Sequence, residues 1–361
     1  MTINTLTCLG PSLLIWFTQK RSCRKHIISD CISRTSTMIP HNDVLPSKSM
    51  HHNIIEVAKT VDSSGFSSLR ESLQKVRVIG RILQGASPLE ARVTDITAAR
   101  LGSNLIDLGW PDATTMSTDA MLDSIKMSSA AVDLMLVAFA SSETFGEGRI
   151  LTSQFADASL VPFISLHDDV YAWQDALTTL LGLESRLGGV SGKQIVVTWG
   201  FGNSFVNPAP AHSLSIAALA FGANVRIVTP PKFSFLNRVC RVARDTSECC
   251  NVLYEEENEF EGSLRDADAV FALNWQRLDD FNHPERNQEY AKEYRDWFVD
   301  ESTISEKCVF SSVPPVQSGL LASREVLASE RNITPVWLKH RTMVLAATIA
   351  HMIESSTKSM V

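Results

Sequence analysis

The 361 residues hold seven cysteines, four tyrosines and no long apolar run, and each shortage narrows the field. Cys8, Cys23, Cys31, Cys240, Cys249, Cys250 and Cys308 form no paired framework and no C-x-x-C set. That excludes a disulfide scaffold and fits reduced thiols in an intracellular compartment. The adjacent Cys249 and Cys250 read as incidental rather than metal-binding, and neither a metal nor a cofactor is expected. Positive charge is scarce as well: 33 Lys and Arg against 40 Asp and Glu leave a net charge of −7, with no massed basic stretch. The electrostatics that track a phosphate backbone are missing, so nucleic acid is not an expected partner. The apolar run LTCLGPSLLIWF is about twelve residues long where a membrane span needs roughly twenty, so no membrane partner is expected either. No repeat and no Gly-x-Ser-x-Gly elbow occurs. Nor is the dinucleotide pattern G-x-G-x-x-G completed, because GFGNSF carries Phe205 at its third small position.

What is present is ample core material, 44% hydrophobic and 20% charged, enough for two ordinary domains. The first fifty residues stand apart, with six Lys or Arg against Asp30 and Asp43 and many hydroxyl residues. They read as a mitochondrial-type targeting segment, as a disordered leader or as a misassigned start. The compartment expected is therefore cytoplasmic or mitochondrial.

From about residue 51 the pattern alternates between helix and strand. SSLRESLQKVRVIGRIL has apolar residues near helical spacing. The loop QGASP then opens a helix, EARVTDITAARLG, with Val93, Ile96 and Leu101 near one face and Gly102 as its stop. NLIDLGW reads as a buried strand, STDAMLDSIKMSSA as a helix capped by Ser117 or Thr118, VDLMLVAFA and LVPFISL as strands, and AWQDALTTLLGLESRLGG as a long helix closed by glycines. A second unit begins at GKQIVVTWGFGN and continues with helix and strand in APAHSLSIAALAFGANVRIVTPP. Strands in ADAVFALNW and CVFSSVPPV, a charged helix in PERNQEYAKEYRDWFV and an amphipathic helix in HRTMVLAATIAHMIES follow. This rhythm predicts α/β architecture with mostly parallel sheets.

A Ser-Pro-Arg loop opening a helix, a Gln-bearing linking helix, a G-x-G-N turn, a late proline-rich loop and an Arg-led terminal helix together resemble the aspartate/ornithine carbamoyltransferase family over roughly residues 52 to 356. SSVPPVQSG and ADAVFALNW are similar to its knotted branch, which includes acetylornithine enzymes. The resemblance implies two doubly wound parallel-sheet domains of the transcarbamylase type joined by a helix. Its boundaries would be a leader over 1–50, a carbamoyl-phosphate-like domain over 51–188, an amino-acid-binding-like domain over 189–330, and a terminal helix over 331–361 returning to the first domain. It also implies a homotrimer.

Carried over by residue, the resemblance places Arg92, Gln174 and Arg341 in the catalytic role, and Ser87, Glu90, Asn203, His212, Ser213, Ser311 and Pro314 around the substrate. The phosphate motifs are degenerate. Of the phosphate loop only Arg92 survives, and Glu90 stands where the family has a cation. Val137 replaces a second Arg, Tyr171 replaces the carbonyl-polarising His, and no thiol precedes Pro314. Each lost charged donor costs on the order of 2–4 kcal/mol at a preorganised site. Read without the resemblance, Arg92 is a surface ion pair with Glu90 or Asp95, Gln174 a backbone bridge and His212 a core histidine. The expected function is an amino-acid-directed transferase for an ornithine- or arginine-like substrate with an acyl donor other than carbamoyl phosphate. The alternatives are a non-catalytic amino-acid-binding paralogue or partner subunit, and a carbamoyltransferase with a rebuilt phosphate site.

Overall fold

The computed structural model describes residues 37–38, 48–109, 117–140, 146–277, 279–280 and 283–358. The expected leader over residues 1–50 lies almost wholly outside them. The first sheet contains β1 (Thr37–Met38), β2 (Val78–Gln84), β3 (Asn104–Asp107), β4 (Leu134–Phe139) and β5 (Phe163–His167). Its order is β1-β5-β4-β2-β3, and every pairing is parallel. The second sheet contains β6 (Gln194–Trp199), β7 (Asn224–Val228), β8 (Tyr254–Glu257), β9 (Ala269–Leu273) and β10 (Val309–Ser311) in the order β10-β9-β6-β7-β8, again parallel throughout. Each sheet is doubly wound, its chain leaving a central strand in both directions.

The helices are α1 (Lys48–Ser64), α2 (Ser67–Arg70), α3 (Pro88–Leu101), α4 (Thr118–Ser129), α5 (Gly148–Ala158), α6 (Trp173–Leu187), α7 (Ala209–Ala220), α8 (Asn237–Cys250), α9 (Pro284–Ala291), α10 (Arg324–Ala328) and α11 (Trp337–Lys358). Local chemistry sets their ends. Gly102 and Gly188 close α3 and α6 with φ of 79° and 71°, the left-handed conformation that costs glycine least. Ser117 caps α4, its hydroxyl accepting from the amide of Ala120. Between the sheets runs α6, whose first eleven residues are all buried, packed against α7, α11 and β5. The terminal α11 packs on α1, α3 and α6. A helix starting at the carboxyl end of one sheet and ending beside the next thus carries Gln174 and Asp175 into the middle of the molecule.

Three local readings change. Only residues 67–70 of the first segment are helical, and Val78–Gln84 is a strand, because Ile79 and Ile82 are drawn into a sheet core where β-branched side chains pack well. Asn104–Asp107 is an edge strand, largely exposed rather than buried. Val93 and Leu101 face the core of α3, but Ile96 is exposed.

In the second sheet, the topological switch lies between β6 and β9. Dinucleotides enter such a crevice in related architectures. Here Val206 and Trp275 form a bridge across it, with the Val206 amide bonded to the Asn274 carbonyl at 2.9 Å and the Gln276 amide to the Val206 carbonyl at 3.0 Å.

Candidate functional site

Open parallel α/β sheets place their ligand-binding loops at the carboxyl ends of the strands, here the loops that follow β2, β5, β6, β9 and β10. From β2 the chain turns through Gly85 and enters α3 at Pro88. Proline at the first helical position gives up an amide that would lack a helical partner in any case. Ser87 occupies the N-cap position, but its hydroxyl makes no capping bond, and it is exposed.

Glu90, in the first turn of α3, points inward. Its Oε1 accepts from Nη2 of Arg341 at 2.5 Å. Nε of Arg341 donates to Oδ1 of Asp175 at 3.1 Å, and Nη1 donates to Oε1 of Gln174 at 3.2 Å. Gln174 is held in turn, its Nε2 donating to Oγ1 of Thr348 at 3.0 Å. Arg341 is 0% exposed and Glu90 6%. Three helices, α3, α6 and α11, therefore meet at one guanidinium carrying two carboxylates. Burial raises Glu90 to about 7; the charge of Arg341 pulls it down and that of Asp175 pushes it up. His167, at the end of β5, feels the same cluster: burial lowers it, Asp175 raises it and Arg341 lowers it further.

The remaining residues singled out in the sequence are not gathered at this point. Arg92 is exposed, one turn outward on α3. Asn203 is exposed in the loop after β6. His212 is fully buried: its Nδ1 donates to the carbonyl of Val170 at 3.0 Å, which leaves Nε2 as an unpaired acceptor, and the ring stands edge-on to Phe235 at 4.6 Å. Burial depresses it to about 4, so it is neutral at pH 7. Ser213 is buried too, its Oγ accepting from the amide of Ala172 at 2.8 Å, which ties α7 to the start of α6. Ser311 ends β10, and Ser312 beside it is buried with no partner for its Oγ among the described residues. Pro314 lines a groove of about 330 Å3 shared by Leu89, Val316, Leu327 and Leu338, with Asn332, Thr334 and Pro335 completing it.

Several polar residues at these strand ends escaped the sequence reading. Asp168 is buried; its Oδ1 accepts from the amides of Val170 and Tyr171 at 2.8 and 2.7 Å, and its Oδ2 lies 3.7 Å from Nη1 of Arg149. Burial raises it to about 6 against the pull of Arg149 and those amides. Asp169 accepts from the amides of Gly146 and Arg149. The guanidinium of Arg149 lies over the ring of Tyr171 at 4.7 Å, and Tyr171 stacks on Trp173 at 5.2 Å. The signal available was the acidic pair in FISLHDD, directly after an apolar strand. Among the described residues no group of three or more His, Cys, Asp or Glu side chains has the geometry to hold a metal ion.

Comparison with known proteins shows what the chain is similar to. The model for the Asp/Orn binding domain of aspartate/ornithine carbamoyltransferases matches residues 206–352. Over that stretch the chain is similar to the aspartate/ornithine carbamoyltransferase family. The N-acetylornithine carbamoyltransferase of Xylella fastidiosa is 25% identical over 189 residues, which is 51% of this chain and 56% of that relative. The match thus spans little more than half of the relative's length. The ornithine carbamoyltransferase of Ignicoccus hospitalis is 24% identical over 253 residues, 67% of this chain and 74% of that one. Among solved structures, an acetylornithine transcarbamylase complexed with acetylcitrulline superposes with a TM-score of 0.75 at 22% identity, covering 84% of this chain and 96% of that one. At that identity the superposition establishes the shared transcarbamylase fold. No helix among the described residues is long and apolar enough to cross a membrane.

Proposed function

We propose that this chain is a member of that family which binds an ornithine- or arginine-like amino acid at the loops following the strands and does not carry out carbamoyl transfer from carbamoyl phosphate. One observation carries the reading: Arg341, the cation the resemblance assigns to the donor, is committed to Glu90 and Asp175 inside the protein. A phosphate dianion brought to roughly 5 Å from Glu90 would meet repulsion of several kcal/mol at an effective dielectric near 20. The surroundings suit a cation better, since Glu90, Asp168, Asp169 and Asp175 outnumber the guanidiniums of Arg149, Arg238 and Arg341 that act on them. The amino-acid side would be lined by Asn203, Ser311 and Pro314, with His212 and Ser213 supporting it from the core. The domain division near residue 188 and a homotrimeric assembly belong to the same proposal.

A second reading is a transferase with a neutral or carboxylate acyl donor. It is favoured by Asn274 Oδ1 and Ser312 Oγ, buried at the ends of the paired strands β9 and β10 and unpartnered among the described residues. Unpaired buried acceptors and hydroxyls cost about 1–3 kcal/mol each unless something fills them.

Isothermal titration separates these readings from the ancestral activity. Carbamoyl phosphate is expected to show no binding below millimolar concentration, while ornithine or arginine binds. Micromolar affinity for carbamoyl phosphate, or citrulline formed from ornithine at an ordinary enzymatic rate, would overturn the proposal.

A further inference from the structure

Several features of the site converge on the first turn of α3. Its cap hydroxyl is unused; the Ser87 carbonyl accepts from the Glu90 amide, Arg81 and Thr94 bond its carbonyls, and the ion pair of Glu90 with Arg341 ties it to α11. Leu89 and Leu338, one residue from Glu90 on α3 and three from Arg341 on the same face of α11, both line the apolar groove. Arg341 still has Asp175 and Gln174 to position it if Glu90 leaves.

We infer that Glu90 is a tethered ligand, its carboxylate occupying a site on Arg341 that a free small monocarboxylate with an apolar body can take over, with that body lying in the groove of Leu89, Pro314, Val316, Leu327 and Leu338. A buried guanidinium with fixed partners on two nitrogens presents its remaining edge to a planar carboxylate, which it matches in shape and charge. Asp175 beside it limits the site to one negative charge, because a dianion would face a second carboxylate on the same guanidinium. The attached carboxylate has a high effective concentration at Arg341, so free carboxylates compete poorly until Glu90 is displaced or removed. The inference rests on the reading that Arg341 is withheld from carbamoyl phosphate.

The test uses the full chain and thermal unfolding with sodium butanoate, 1-butanol as the uncharged analogue and sodium chloride as the salt control. Butanoate at tens of millimolar is expected to raise the Tm of Glu90→Ala by about 3 °C or more over both controls, and to leave the wild-type protein unchanged. Where truncation unfolds the chain, Glu90→Gln, which keeps the side-chain volume without the charge, is expected to respond in the same direction with a smaller shift. The inference is overturned if the folded variants respond no more to butanoate than to 1-butanol, or if wild type responds as strongly as they do. Failure here leaves the separate titration of wild type with carbamoyl phosphate untouched, so failure of the inference is distinguishable from failure of that reading.

Discussion

Glu90 carries more of the molecule's pH behaviour than its single charge suggests. Its carboxyl is raised in the folded protein, so it binds protons in the native state where the unfolded chain has released them. The sign follows: its stabilising contribution is complete below about pH 4.5 and is lost as pH rises through about 7. The groups facing it are Arg341 on α11, Asp175 and Gln174 on α6, and His167 at the end of β5 acting on the same cluster. Comparing wild type with Glu90→Gln in urea unfolding at pH 5 and pH 8, the wild type is expected to lose up to about 3 kcal/mol relative to the variant on going to pH 8. A difference that is flat with pH, or that grows in favour of wild type, would show that Glu90 stays ionised throughout. Asp168 shifts in the same direction but is common to both proteins and cancels. His51 and His212, depressed by burial to about 3 and about 4, act oppositely, costing stability as pH falls below about 6.5, and are likewise common to both proteins. The sequence singled out Glu90, Gln174 and Arg341, yet gave no sign that they bind one another. Arg341 lies 167 positions from Gln174 and 251 from Glu90, and no local pattern reports such a meeting.

At the level of elements, what was legible was whatever local chemistry decides. Gly102, Gly188 and Ser117 end or begin their helices as read, and β4 and β9, buried along their whole length, appear as continuous apolar runs. What was not legible depended on neighbours in space. Residues 78–84 support helical and strand spacing alike, and the choice is made by pairing with β3 and β4. Arg81 in that strand then clamps α3, its Nη1 donating to Oγ1 of Thr94 at 2.8 Å and Oδ1 of Asp95 at 2.7 Å while Nη2 reaches Asp107 on β3 at 3.0 Å. Close approach of elements is equally invisible in sequence. A Cβ on Gly148, the first residue of α5, would lie 2.5 Å from the carbonyl oxygen of Phe139 at the end of β4. Backbone cannot yield as a flexible side chain can, so Gly148→Ala is expected to cost about 1–3 kcal/mol. A urea midpoint unchanged from wild type would mean that α5 shifts freely on the sheet. Because Gly146 and Arg149 supply the amides that hold Asp169, the same substitution disturbs the polar end of β5.

Over the whole molecule, the two sheets differ in how they meet solvent. The second buries β6, β9 and α7 almost completely, and its edge strand β8 presents Glu255 and Glu256, charges that discourage edge-to-edge pairing. The first has a weaker defence. Its edge strand β3 exposes Ile106, and Ile96, Met127, Ile150 and Leu160 are exposed nearby in sequence, Met127 at 74%. Scattered apolar residues are ordinary on any surface, but five in one stretch of 65 residues, against Val206, Leu253 and Val336 elsewhere among the described residues, place the excess on one half of the molecule. Self-association through the first sheet's half would cover it, and a specific interface needs about 800 Å2 from each partner. The expected outcome is a particle of three times the chain mass in light scattering at micromolar concentration, with Ile106→Lys shifting it towards the monomer while leaving the far-ultraviolet circular dichroism unchanged. A wild-type monomer at that concentration would remove the trimer, and with it any cation that a neighbouring copy could bring to the site. Arg341, Arg149 and Arg238 would then be the guanidiniums available to the acidic groups described there, and the site would have to be understood within one chain.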